Sequence, residues 1–350
     1  FPYTTLFRSR RYCRRIGSRC RPMGCCGLAQ EMEQKLEQKF AFGPVPSRRL
    51  GRSLGINNIP PKICAYSCIY CQLGRTIKMQ VERQPFYEPE EIVQAVRAKV
   101  NRVRSAGESI DYLTFVPDGE PTLDLNLGRE IELLRPLGLP IAVIICGALI
   151  WRADVRAELG QADWVSLKVD AVRPEVWRRL NRAYGALHLS AILEGARQFA
   201  ASFNGTLVTE TMLVEGVNDS PALLAETADL LAQLQPDIAY LSIPTRPPAE
   251  SWVRPPDEAV INRAYQLFSD RLKQVEYLIG YEGNAFVCSG NVENDLLSIT
   301  AVHPMRVDAV KQLLAQAKVP WSVVQRLLAQ GQLIETQYNQ QTFYLRKIHS

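Results

Sequence analysis

Between Gly51 and Gln274 short apolar runs alternate with amphipathic stretches, and that alternation leaves few folds open. The apolar runs are Ser53–Asn58, Tyr112–Val116, Ile141–Cys146, Trp164–Val169, Thr206–Leu213 and Ile238–Ile243. They are rich in β-branched and aromatic residues, and turn residues bound them, so they read as six strands. Most are apolar along their whole length, as strands covered on both faces are. Between them, Glu90–Arg104 puts Ile92, Val93, Val96 and Val100 on one helix face behind Pro89. Pro174–Asn181, Leu189–Phe203, Pro221–Leu234 and Asp257–Gln274 repeat the i, i+3, i+4 spacing. Strand–helix repetition predicts an α/β fold with a parallel sheet of βαβ units. An open doubly wound sheet and a partial barrel both satisfy it. In either, ligand sites fall at the C-terminal ends of the strands.

The loop after the first strand carries Cys64, Cys68 and Cys71 in a Cys-x3-Cys-x2-Cys spacing. A structural zinc site takes four protein ligands, and so does a complete iron–sulfur cluster. Three thiolates hold three irons of a cubane and leave the fourth open to a small molecule, the mark of a catalytic site. The alternative is a zinc completed by a distant ligand. Cys146, Cys288, His188 and His303 are the candidates, each standing alone in the sequence. Cys146 ends an apolar run, where a small buried hydrophobe is the plainer role.

The second strand ends in Pro117-Asp-Gly-Glu-Pro-Thr-Leu123. Gly119 lets the backbone approach a ligand closely. Glu120 and the turn's carbonyls offer what an ammonium needs, and an ordinary β-turn is the other reading.

These two motifs, in this order and with Tyr70 just before Cys71, resemble the radical S-adenosylmethionine (SAM) superfamily. The resemblance implies a [4Fe-4S] cluster on Cys64, Cys68 and Cys71 whose open iron chelates SAM. It also implies reductive SAM cleavage to a 5′-deoxyadenosyl radical, a reduced flavodoxin or ferredoxin as electron donor, and a partial (β/α)6 TIM-type barrel. Phe42–Ile56, Gly119–Leu123, Val165–Asp170, Asn181-Arg182, Glu210–Leu213 and Pro244–Pro248 look like the Fe–S oxidoreductase group related to the tRNA wybutosine-synthesis radical enzymes. That likeness covers about residues 42–280. It lacks a second set of cluster cysteines and carries Lys168 within a strand motif, so it implies the SAM chemistry and not the wybutosine reaction.

On this resemblance Tyr70 lies beside the adenine, or simply packs, and Gly119 and Glu120 engage the SAM ammonium. Ser166, Lys168 and Asp170 alternate along strand four and share a face. Buried and unpaired they would be costly. They therefore pair with one another, as Lys168 and Asp170 could, or aim into the mouth. In the mouth, Ser166 and Asp170 would meet SAM and Lys168 the substrate, as cation or Schiff-base amine. Glu210 binds SAM or substrate, or neutralises a neighbouring cation. Arg246, between Pro244 and Pro247, suits a substrate carboxylate or phosphate. Asn181 and Arg182 cap a helix or face solvent; Arg48 and Arg49 flank the mouth or form a solvated basic loop.

At 350 residues the chain suits one large domain, about 40–282, and a small one, about 283–347. In the small one, helices at His303–Gln316 and Pro320–Gln330 precede a hairpin, Leu333–Tyr338 then Thr342–Arg346, which reads as a winged-helix-like module. Its second helix offers only Arg326, thin for phosphate contacts, so a structural or protein-docking role is favoured over RNA. The net charge of +5 owes much to the arginine-rich first 22 residues. Residues 1–31 are expected to be a non-native or disordered extension; the rival reading is a second cluster on Cys13, Cys20, Cys25 and Cys26. No run of 18 apolar residues offers a membrane helix. Unpaired cysteines fit a reducing cytoplasm. Against the enzyme stands one other reading: a zinc- or cluster-stabilised docking protein without catalysis.

Overall fold

The computed structural model describes residues 36–37, 39–280, 286 and 291–347; the N-terminal extension and Cys288 lie outside them. In chain order the strands are β1 (Ala41–Ser47), β2 (Gly51–Ile56), the two-residue β3 (Ile63–Cys64) and β4 (Lys78–Met79), β5 (Tyr112–Phe115), β6 (Ile141–Ile145), β7 (Trp164–Lys168), β8 (Thr206–Met212), β9 (Ile238–Ser242) and β10 (Val275–Leu278). Eight of them form one sheet in the order β1-β2-β5-β6-β7-β8-β9-β10. Every pairing from β2 to β10 is parallel, and β1 runs antiparallel on the edge. The helices between them are α1 (Pro89–Ser105), α2 (Leu127–Leu134), α3 (Ala153–Leu159), α4 (Pro174–Asn181), α5 (Leu189–Ser202), α6 (Pro221–Leu234) and α7 (Glu258–Ser269).

The sheet is a curled half-barrel, as the family resemblance implies, but it has eight strands rather than six. β1 contains Pro44 and Pro46, which an edge strand tolerates because its N–H groups need not all pair. β10 arises because α7 is shorter than its apolar spacing suggests. Asp257 caps it by accepting from the Val260 N–H at 2.8 Å, and it ends at Ser269, freeing Val275–Leu278 to pair with β9. The first strand also begins two residues early, at Gly51, and stops at Ile56. Arg48 in the β1–β2 turn donates to the carbonyls of Tyr277, at 3.4 Å, and Gly280. One side chain thus spans from the first hairpin to the end of the last strand.

Side chains alternate across this sheet. Leu113, Val143, Val165, Leu167, Leu207 and Leu241 point outward into the core beneath the helices. Ala142, Trp164, Val208 and Tyr240 point inward and close the barrel interior with Leu50 from the first hairpin. Opposite Gly55, the Phe42 ring occupies the place of a side chain: a Cβ on Gly55 would lie 1.9 Å from it. Gly55→Ala is therefore expected to lower stability by about 1–3 kcal/mol, read as a lower denaturation midpoint.

Beyond β10, α8 (Val292–Val302), β11 (Met305–Arg306), α9 (Val307–Gln316), α10 (Ser322–Ala329), β12 (Leu333–Tyr338) and β13 (Gln341–Arg346) surround their own core of Leu296, Ile299, Met305, Leu313, Val324 and Leu327. The three strands pair as β11-β13-β12. The expected helix from His303 is corrected. His303 instead caps the C-terminus of α8, a helix the sequence reading missed, and β11 intervenes before α9 starts at Val307. This module rests on the barrel. Lys99 of α1, itself buried, sits 3.1 Å from Asp295 and 3.4 Å from Glu37. Among the described residues no helix is long and apolar enough to cross a membrane.

Candidate active site

The C-terminal ends of β5, β6, β7, β8, β9 and β10 open on a cavity of about 300 Å³. Cys64, Cys68 and Cys71 all line it, with Gly119, Lys168, Glu210 and Arg246. The cysteine loop is shaped by hydrogen bonds to the chain around it. Ser67 and Ile69 donate N–H groups to the carbonyls of Asn181 and Leu180 at the end of α4, both at 3.0 Å. The Tyr66 N–H points at Cys64 Sγ at 3.4 Å, and Asn181 Nδ2 at Cys68 Sγ at 3.4 Å. Burial pushes the Cys68 and Cys71 thiols up from their ordinary range, against a pull on Cys71 from Lys62. Three clustered thiols, two of them met by N–H donors, suit a thiolate-bound metal cluster, whose positive irons would offset the cost of deprotonating them.

Asn181 is a site residue that sequence reasoning left as a helix cap or a solvent-facing side chain. Its Nδ2 also donates to Asp170 Oδ2 at 2.8 Å and lies 3.3 Å from the Tyr70 hydroxyl. Tyr70 donates its hydroxyl to the same Asp170 oxygen, and the Met212 N–H donates to the other at 2.9 Å. Asp170 is thus consumed in fastening the cysteine loop to β8. It neither pairs with Lys168 nor lines the cavity. Tyr70 does line the cavity, its ring 4.9 Å from Lys168 Nζ.

Glu120 is the clearest departure from expectation. It is fully buried and does not line the cavity. One carboxylate oxygen accepts from the Thr122 N–H, at 3.3 Å, and hydroxyl, and the other from the Cys146 N–H at 2.7 Å. It ties the turn to the end of β6, behind the cavity wall. Gly119 does face the cavity, pressed so close to the cysteine loop that a Cβ there would lie 2.0 Å from the Ile63 carbonyl oxygen. Gly119→Ala should therefore displace the loop, and iron bound after anaerobic reconstitution should fall well below one cluster per chain.

Lower in the barrel lies a charged layer. Glu210 receives Arg49 at 2.8 Å, Lys168 at 3.1 Å and the Ser242 hydroxyl at 3.0 Å. Arg49 also reaches Ser166 Oγ at 3.3 Å, and its guanidinium stands 5.9 Å from the Trp164 ring and 6.0 Å from that of Tyr240. Ser166 is therefore a partner of Arg49 beneath the cavity. Burial favours protonation of Glu210, but Lys168 and Arg49 outweigh it and hold the carboxyl down to about 2. Burial likewise opposes charge on Lys168, yet Glu210, Asp170 and Cys68 raise its pKa above the ordinary value, so it is a cation. The ion pair expected with Asp170 is made with Glu210 instead. At the rim Arg246 donates to Gln72 Oε1 at 2.8 Å and lies 3.1 Å from His303 Nε2.

Cys146 was read as a core residue, yet it lines the cavity, and burial with Cys64 and Glu120 close by pushes its thiol well up. The inward alternation of Ala142 and Ile144 on β6, continued to Cys146 just past its end, carried that signal.

The radical SAM superfamily model matches residues 58–243, from the end of β2 through β9. The chain belongs to the radical SAM superfamily, whose enzymes use a [4Fe-4S] cluster and SAM. It is 45% identical over 313 residues to the UPF0026 protein MJ1312 of Methanocaldococcus jannaschii, covering 89% of this chain and 97% of that one. It is 34% identical over 208 residues to the UPF0026 protein slr1464 of a Synechocystis strain, 59% of this chain and 76% of that one. A solved structure of TYW1 with a lysine–pyruvate adduct bound superposes with a TM-score of 0.50 at 17% identity, over 63% of this chain and 74% of that one. That likeness carries the half-barrel fold.

Proposed function

We propose that this enzyme abstracts hydrogen from a substrate bearing an anionic group, held above the Arg49–Glu210–Lys168 layer. Cys64, Cys68 and Cys71 would hold the cluster. When bound, cluster and SAM supply a 5′-deoxyadenosyl radical by reductive cleavage of the sulfonium. What the chain's own residues do follows from the barrel. Its closed apolar floor excludes water from one side. One carboxylate facing two cations leaves the layer with a net positive charge, and around the cavity Arg48, Lys62 and Arg246 outnumber the one further carboxylate, Asp118. A carboxylate or phosphate compensates that excess, and a guanidinium offers it two parallel donors. The single observation that supports this reading is Glu210 shared by Arg49 and Lys168.

Anaerobic reconstitution followed by reduction tests it. Cleavage of SAM to 5′-deoxyadenosine supports the enzyme. Tight zinc and no cleavage supports the docking protein instead. Deuterium appearing in 5′-deoxyadenosine from labelled anionic metabolites in extract would identify the substrate, whereas label arriving only from neutral compounds would count against the anionic reading. Lys168, charged and bound to Glu210, is read as a binding cation rather than an amine nucleophile. Borohydride reduction with pyruvate present should therefore leave Lys168 unmodified by mass spectrometry; a reduced adduct there would restore the Schiff-base reading. A low-potential reductant is general to the superfamily, and a reduced flavodoxin or ferredoxin is the proposed donor. The winged-helix-like reading of residues 291–347, and any RNA or protein partner it meets, stay proposals of the same kind. Cytoplasmic residence is inferred from the unpaired thiols.

A further inference from the structure

The loop after β9 reads Pro244-Thr-Arg-Pro-Pro248. Its prolines have no N–H, so the loop has few backbone donors of its own and contacts from elsewhere must set its course. The C-terminal module supplies two of them. Tyr338 of the hairpin holds the Pro244 carbonyl at 3.0 Å. His303, at the end of α8, puts Nε2 3.1 Å from the Arg246 guanidinium.

That contact fixes the state of the imidazole. A guanidinium only donates, so Nε2 accepts and the ring proton sits on Nδ1. His303 is buried, with the Phe286 ring edge-on at 5.5 Å. Burial, and then Arg246, hold its pKa well below the ordinary value, which keeps it a neutral acceptor. Gln72, the residue after Cys71, meets the same guanidinium. Its Oε1 accepts from Arg246 at 2.8 Å, and its Nε2 donates to the Val302 carbonyl at 3.1 Å. One acceptor on Arg246 thus comes from the module and one from the cysteine loop, and the second is itself anchored to the module. Arg246 lines the cavity. A guanidinium held in place before a ligand arrives loses less freedom on binding it.

We propose that His303 is a positioning residue for the substrate: through it the C-terminal module aims Arg246 at the substrate's anionic group, so that the site is complete only with the module in place. This rests on the anionic reading above and deepens it. His303 acts through Arg246 and not on the reacting atoms.

The test is the rate at which phenylglyoxal modifies Arg246 in the anaerobically reconstituted full-length protein, read peptide by peptide by mass spectrometry. Arg49, paired with Glu210, is the internal reference. His303→Leu should raise the rate at Arg246 about tenfold and leave Arg49 within about twofold. His303→Gln, whose amide oxygen can replace Nε2 as acceptor, should restore the slow rate. An unchanged rate at Arg246 in His303→Leu, equal increases at Arg246 and Arg49, or no rescue by His303→Gln would overturn the assignment. Should His303→Leu not fold, His303→Asn, too short to reach Arg246, decides by the same comparison. Inorganic phosphate probes the reading beneath. It should protect Arg246 in the wild type and protect it less in His303→Leu; equal protection in both would overturn the positioning role. No protection of the wild type, with the His303 effect on rate intact, would contradict the anionic substrate alone, a separate result.

Discussion

Replacing Cys68 with serine should lower iron bound per chain and reduce SAM cleavage by more than about 100-fold, since even outer partners of a metal site cost about 10- to 100-fold. Cys68 lies between the other two cysteines of the loop, and Asn181 already points an N–H at its sulfur. The informative comparison is Cys146→Ser. Cys146 lines the same cavity and stands beside Cys64. If three thiolates carry the cluster, Cys146→Ser retains iron and SAM cleavage, with at most a change in the cluster's spectrum. Equal iron loss in both variants would make Cys146 a fourth ligand and remove the open corner on which the radical chemistry rests. Iron and sulfide assays with electron paramagnetic resonance separate the two outcomes.

Glu210→Gln should destabilise the protein by about 3–5 kcal/mol, because it strands Arg49 and Lys168 in the barrel without their shared anion. The second substitution Arg49→Met, added to Glu210→Gln, should recover part of that loss, since one cation fewer remains uncompensated. The same carboxylate sets a pH dependence. Its folded pKa of about 2 lies below the unfolded value of about 4.3. A depressed carboxylate stabilises the fold above the unfolded pKa and loses that contribution as pH falls through the folded one. Stability from Glu210, about 3 kcal/mol, should therefore hold above about pH 4.5 and disappear between there and about pH 2. Asp118 acts in the opposite sense. Burial, against the pull of Lys62, raises it to about 6, so the fold gains as pH falls from about 6 toward 4. Acid titrations of the wild type and Glu210→Gln, followed by circular dichroism, should show the steeper acid loss only in the wild type.

The half-barrel was legible because strands covered on both faces announce themselves as apolar runs. β1 was not, because an edge strand can carry Gly43, Pro44 and Pro46, residues that read as loop. α8 was missed because its apolar positions are interrupted by Asp295 and Ser298, both buried polar residues. At the site, residue types and their order led to the three cysteines and the mouth they share with Gly119, Lys168 and Arg246. What sequence could not give was the allocation of partners. Four carboxylates, Asp118, Glu120, Asp170 and Glu210, stand at or just behind the strand ends, and nothing in their spacing says which holds a turn, which fastens a loop and which neutralises a cation. The structure assigns Glu120 to Thr122 and Cys146, Asp170 to Tyr70 and Asn181, and Glu210 to Arg49 and Lys168. Such choices depend on angstrom-scale proximity between segments far apart in the chain.

The module's hold on the mouth has a consequence for how the protein is made. Gln72, next to Cys71, donates to the Val302 carbonyl at 3.1 Å, and Tyr338 in the hairpin donates its hydroxyl to the Pro244 carbonyl at 3.0 Å. During synthesis the thiols leave the ribosome well before α8 and the hairpin, the segment that will lean on them. An assembly factor delivering iron and sulfide to the nascent chain would meet the cysteine loop while that side is still open, and the later folding of α8 and the hairpin would then close it.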